Sequence, residues 1–204
     1  MSKTFQTSAV SAWLLILLGG LFLAVGVGVG WVFWSGEESL LGALLFLLFF
    51  GGSGAYMVGR GLLTLYSYAL LGKPEINYST TSLPVGGTFQ FSLQHTFPRA
   101  MELENVHLQL ILREIATYKQ GTKTRTVTYD AVVDEQVWPG QAYYEGQMLQ
   151  IGYGLTIPRD GMHSFKAPRN EIRWVCKLTM GIPRLPDYEH EVVLEVQPHL
   201  APKN

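Results

Sequence analysis

The chain has a single cysteine, Cys176, so no intrachain disulfide can form and a cysteine-based zinc site has no ligand set. Charge is scarce in the first third: of fifteen Lys/Arg and sixteen Asp/Glu, only Lys3, Glu37, Glu38 and Arg60 precede Lys73. Beyond Lys73 the two signs nearly balance. No basic stripe runs along the chain, which argues against a nucleic-acid binder. Chemistry-bearing motifs are missing as well. The glycine stretches "GVGVG" and "GGSG" do not sit at a strand-to-helix turn, so neither reads as a phosphate loop. Ser164, Asp187 and His190 are the residue types of a hydrolase triad, but there is no G-x-S-x-G elbow and Ser164 falls in an expected turn. His95, His107, His163, His190 and His199 lack the i,i+4 or H-x-H spacing that converges imidazoles on a metal. They read as satisfied surface or sheet histidines. No catalytic residue, metal or cofactor is expected.

What the chain does have is two long apolar runs. Trp13 to Trp34, "WLLILLGGLFLAVGVGVGWVFW", carries no charge over twenty-two residues, about 33 Å as a helix and enough to cross a hydrocarbon core. Trp13 at one end and Trp31 with Trp34 at the other fit the indole preference for the headgroup interface. A cleaved signal peptide is the rival reading, but the run exceeds a usual signal core and no A-x-A site follows. After the short connector "SGEES", Ser35 and Glu38 have capping-box spacing for a second helix. Leu40 to Gly59 supplies twenty mostly apolar residues, so Arg60 falls about where that span leaves the hydrocarbon. Arg60 is expected to snorkel, with "GLLTLYSYALLG" continuing as an emerging or interfacial helix and Tyr66 and Tyr68 near headgroups. The alternative runs the helix to Leu71, with Arg60 in the membrane against a partner's carboxylate.

Lys3, Arg60 and Lys73 flank the spans on one side, Glu37 and Glu38 on the other. The positive-inside rule then places both termini in the cytoplasm. Gly26 and Gly30 form a GxxxG, and Gly51, Gly52 and Gly54 add small residues to the second span. Such rows let helix backbones approach closely. They either pack the two spans of one chain or form a docking face for another membrane protein or a second copy.

Past Lys73 the hydrophobic period becomes two. Phe89, Phe91 and Leu93 alternate with polar residues, as do Val106, Leu108, Leu110 and Leu112. The same alternation puts Val127, Tyr129 and Ala131 on one face, then Ile172, Trp174, Cys176 and Leu178, then His190, Val192, Leu194 and Val196. These are half-buried strands. "PVGG", "KQGTK", "WPGQ", "PRDG" and "PRLPD" supply the turns. The pattern implies an all-β, immunoglobulin-like antiparallel β-sandwich over residues 73–204, following a two-span hairpin over residues 1–72. Cys176 reads as a small buried hydrophobe.

The stretch from Glu75 to Pro198 resembles the arrestin-like β-sandwich of bacterial membrane-anchored proteins. The resemblance rests on a "PVGG" turn before a strand, an "RE" pair ending a strand, an "IP" turn, and "I-x-W-x-C-x-L" followed by "PD" and a last alternating strand. It implies a noncatalytic scaffold or adaptor at the bacterial inner membrane, with the sandwich in the cytoplasm. The alternative is an accessory subunit of a membrane enzyme or transporter, docked through the glycine-rich spans. Expected partners are membrane lipids and either a membrane protein or a homo-oligomer. Lys119, Lys123 and Arg125 surround the "KQGTK" turn with no acid among them, a candidate contact for anionic lipid or a partner. Trp138, Tyr143, Tyr144 and Tyr153 form either an exposed contact patch or cross-strand pairs.

Overall fold

The computed structural model describes residues 7–35 and 40–198, without the side chains of residues 7–10, 34 and 40. The chain separates into a helical unit built on Thr7–Leu70 and a β unit that begins at Leu71. Lys3, Glu37, Glu38 and His199 lie outside the described residues, and so does the side chain of Trp34.

In the helical unit, α1 (Thr7–Ser35) is followed by α2 (Leu40–Phe46), a π-helical turn (Leu47–Gly51) and α3 (Gly52–Leu71). Two stretches, Ser11–Phe33 and Leu41–Leu71, are long and apolar enough to cross a membrane. Close approach of the helices depends on glycine. A Cβ on Gly54 would fall 2.7 Å from both the Gly19 carbonyl oxygen and the Leu23 amide nitrogen, and one on Gly26 would fall 2.7 Å from the Gly51 nitrogen. Phe22 and Phe50 fill the space beside these contacts, with ring centroids 5.5 Å apart.

One expectation is corrected here. Ser35 does not cap the second helix: it ends α1, and its hydroxyl donates back to the Val32 carbonyl at 3.2 Å. α3 continues as a helix past Arg60 to Leu71.

The β unit contains two principal sheets. One has the order β1-β3-β8, where β1 is Glu75–Tyr78, β3 Thr88–Thr96 and β8 Met148–Thr156. The other has the order β2-β11-β10-β5-β6, where β2 is Ser82–Pro84, β5 Asn105–Gln120, β6 Lys123–Pro139, β10 Asn170–Gly181 and β11 Tyr188–Gln197. Short β9 (Phe165–Lys166) pairs with β10, and β4 (Met101–Glu102) pairs with β7 (Ala142–Tyr143). All pairings are antiparallel except β2 with β11, which run parallel and correct the expectation of a purely antiparallel sandwich. Period-two patterning buries one face of each central strand. Phe89, Phe91 and Leu93 of β3, Leu108 and Leu110 of β5, Trp174, Cys176 and Leu178 of β10, and Val192, Leu194 and Val196 of β11 are almost wholly buried. These two inner faces form the core of the sandwich. Trp174 is 1% exposed and donates its indole N–H to the Met162 carbonyl at 2.8 Å.

Candidate interaction surfaces and a sealed polar pair

The β5–β6 hairpin is the least covered part of the β unit. β10 pairs with β5 only from Asn105 to Ala116, while β6 follows β5 to the turn at Gly121, whose φ of 65° suits glycine. Beyond the covered part, every residue from Tyr118 to Asp130 is exposed. The expected alternation of Val127, Tyr129 and Ala131 is present, but no layer covers it: Val127 is 50% and Tyr129 64% exposed. Lys119, Lys123 and Arg125 are all exposed. They do not share a face, since Gln120 opposes Lys123 and Tyr118 opposes Arg125, which puts Lys119 on the other side of the ribbon.

The "RE" pair expected to end a strand, Arg113 and Glu114, instead sits in the middle of β5. There Arg113 binds Asp130 of β6 and Glu191 of β11. These bonds hold the arginine's pKa above its ordinary value despite partial burial. Lys177 with Glu189 and Arg173 with Glu171 add ion pairs on the same outer face, where His107 also lies 3.3 Å from Glu135. This sheet therefore has a ladder of ion pairs at its base, and farther out a ribbon that carries Lys119, Lys123 and Arg125 among exposed threonine, valine and tyrosine residues.

The aromatic candidates divide. Tyr143 is buried and stacks on Phe97 at 4.1 Å, and Trp138 meets Tyr153 edge-on at 5.9 Å. These are pairs inside the β unit. Tyr144 alone of the four is widely exposed, at 76%.

The histidines correct another expectation. His190 of β11 is buried, and neither ring nitrogen has a hydrogen-bond partner; the Nε2 of buried His95 on β3 also has none. Burial pushes both imidazoles below their ordinary pKa, more than the Leu71 backbone bond raises that of His95. His190 stacks on Tyr78, whose hydroxyl lies beside the Cys176 thiol without a well-formed hydrogen bond. Burial pushes that thiol up to about 12, which makes it a packing group rather than a nucleophile. A cleft of about 680 Å³ runs along Lys73, Pro74, Glu75 and Asn77 to His190. The His190 nitrogens are sealed from solvent, so the cleft presents ring carbon rather than a ligating atom. Among the described residues no cluster of three or more His, Cys, Asp or Glu is arranged to hold a metal.

Ser164, Asp187 and His190 do not assemble as a triad. The Ser164 hydroxyl accepts the Val196 amide at 2.9 Å and faces the Leu194 carbonyl at 3.3 Å, which clamps its loop to β11.

On the helices, Trp13 and Trp31 are 58% and 71% exposed, Tyr66 is 54% exposed, Tyr68 is half-buried, and Arg60 is exposed. Of the glycines singled out from sequence, Gly26, Gly51 and Gly54 meet within the chain, whereas a Cβ on Gly52 would meet nothing. Gly30 borders an apolar groove of about 410 Å³ with Val27, Trp31, Ala43, Leu44 and Leu47. Sequence reading passed over Gly61, where a Cβ would fall 2.8 Å from the Ala12 carbonyl oxygen. Its signal is a small residue seven positions, about two helical turns, past Gly54.

No protein-family model matches the chain, and no curated protein matches it. Among solved structures it is similar to Spo0M, a sporulation control protein from Bacillus subtilis, at 13% identity and a TM-score of 0.49. The match covers 63% of this chain and 51% of that one, so the chain spans about half the length of Spo0M. A likeness this slight carries no functional argument.

Proposed function

We propose that the protein is a noncatalytic membrane-anchored adaptor, whose paired apolar helices hold the β-sandwich at the cytoplasmic face of a bacterial inner membrane. The observation that carries the reading is the β5–β6 ribbon, exposed from Tyr118 to Asp130 with apolar Val127 and Tyr129 uncovered. Exposed apolar residues on a strand with a free edge are the raw material of strand addition. The arrestin-like sequence pattern points the same way by analogy. Some 31 residues of apolar helix reach ~46 Å. This exceeds a hydrocarbon core of about 30 Å and leaves room for Arg60 at the headgroups, with Tyr66 beyond it.

A photo-crosslinking residue at Thr128, introduced into the full chain in its native membrane, tests the adaptor reading. Adducts from Thr128 but not from Glu195, an exposed position on β11, support it. A ribbon that yields no adduct refutes it.

A second reading, an accessory subunit docked through its spans, is favoured by the groove beside Gly30. Small residues flanking an apolar groove suit the approach of another membrane helix.

A further inference from the structure

We propose that the free edge of β6 pairs antiparallel with the β6 edge of a second copy of this chain, on a two-fold axis through Tyr129. The proposal rests on the adaptor reading and names the occupant of the ribbon.

β6 ends its sheet order, so its outer edge has no partner strand among the described residues. The two-residue turn opposes Gln120 to Lys123, and in such a hairpin the closing pair exchanges hydrogen bonds. Lys123, Arg125, Val127, Tyr129 and Ala131 therefore direct their amide groups to β5. Thr124, Thr126, Thr128, Asp130 and Val132 direct theirs outward. Natural edges are blunted by proline, bulges or covering loops. Here the register shift lies opposite Leu110 and Ile111, past Val132, and the only proline, Pro139, is at the far end. The intervening segment is a regular open edge.

Charge selects the occupant. Lys123 and Arg125 stand at one end of this edge, and Asp134 and Glu135, the latter 3.3 Å from His107, lie just past the register shift at the other. An antiparallel copy brings the basic end of each strand to the acidic end of its mate, whereas a parallel copy would oppose like charges. A two-fold axis at Tyr129 sets the two tyrosines opposite one another, Val127 opposite Ala131, and Asp130 opposite Thr128 rather than itself. An anionic membrane surface would suit Lys123 and Arg125 but repel Asp134 and Glu135.

The test uses the full chain in nanodiscs, where buried Cys176 is the only native thiol. Tyr129→Cys should form a disulfide-linked dimer on mild oxidation, while Thr122→Cys at the hairpin turn should not. Reversing Lys123 and Arg125 to Glu should slow crosslinking about tenfold, as a loss of roughly 1.4 kcal/mol would. Adding Asp134→Lys and Glu135→Lys should restore it. The proposal is overturned if Tyr129→Cys links no faster than Thr122→Cys, if the paired reversal fails to rescue, or if the ribbon of a monomer instead binds anionic vesicles. Thr128 photo-adducts to another protein without any homodimer would overturn self-pairing and leave the adaptor reading standing. Absence of any adduct would remove both.

Discussion

Arg113 of β5 grips Asp130 of β6 through two parallel contacts, Nε to Oδ1 at 2.7 Å and Nη2 to Oδ2 at 2.8 Å. A planar guanidinium matches a carboxylate in this two-point geometry, which an ammonium cannot reproduce. The grip also resolves a conflict in the ladder, where Arg113 stands directly opposite Arg173 of β10. Arg113 turns to Asp130 and Glu191, and Arg173 turns to Glu171. Arg113→Ala should cost about 1 kcal/mol, modest because Asp130 is partly in water. Arg113→Lys should recover less than half of it. Urea unfolding of the full chain in detergent measures both, and a lysine variant as stable as wild type would contradict the two-point account.

Trp174 joins the sheets by volume and by one polar bond. Trp174→Ala should cost roughly 3 to 5 kcal/mol, as large-to-small core changes do. Trp174→Phe should cost less, because it keeps most of the packing and loses chiefly the hydrogen bond to Met162. An alanine variant that melts at the wild-type temperature would show that the face is misassigned.

Gly26 and Gly30, four residues apart, should respond differently to the same change. Gly26→Leu drives a side chain into the Gly51 backbone and should lower expression of the folded chain. Gly30→Leu meets only ordinary contacts with Leu47 and should leave folding intact while filling the groove. Loss of a co-purifying membrane protein in Gly30→Leu alone would favour the accessory-subunit reading. An unchanged complex would count against it.

Stability should depend on pH in two windows. The unfolded chain protonates histidine near 6.5, whereas buried His95 and His190 resist protonation until a lower pH. The unfolded state therefore binds more protons between those values, so stability is level above about 6.5 and falls as pH drops through that window. Asp130, held below the usual carboxylate range by Arg113, adds a second loss below about 4 as it takes up a proton. Denaturation across a pH series should show a smaller first slope for His190→Phe. An identical slope would remove His190 from the account.

Much of this was legible in the sequence, because burial on one face leaves a period-two signal. Phe89, Phe91 and Leu93 were legible that way, and so was the inward position of His190 beside Val192. Alternation tells which residues share a face, not whether another layer lies over it; Val127 and Tyr129 therefore read like core and are exposed. β2 pairs with β11 over only Ser82–Pro84, and a contact between segments so distant in sequence leaves no local pattern. Nor does spacing show whether a buried imidazole finds a partner. Ser35 matched a capping box because the motif is local, yet Ser35 is the last residue of α1.

Sidedness tests the central claim most directly, since a cytoplasmic adaptor requires one orientation. Single cysteines at Glu37, Lys73 and Tyr129 would be exposed to a membrane-impermeant maleimide in intact cells, with Cys176 silent because it is buried. The account predicts that Glu37→Cys labels at once and that Lys73→Cys and Tyr129→Cys label only after permeabilisation. Labelling of Lys73→Cys and Tyr129→Cys in intact cells, with Glu37→Cys protected, would contradict it.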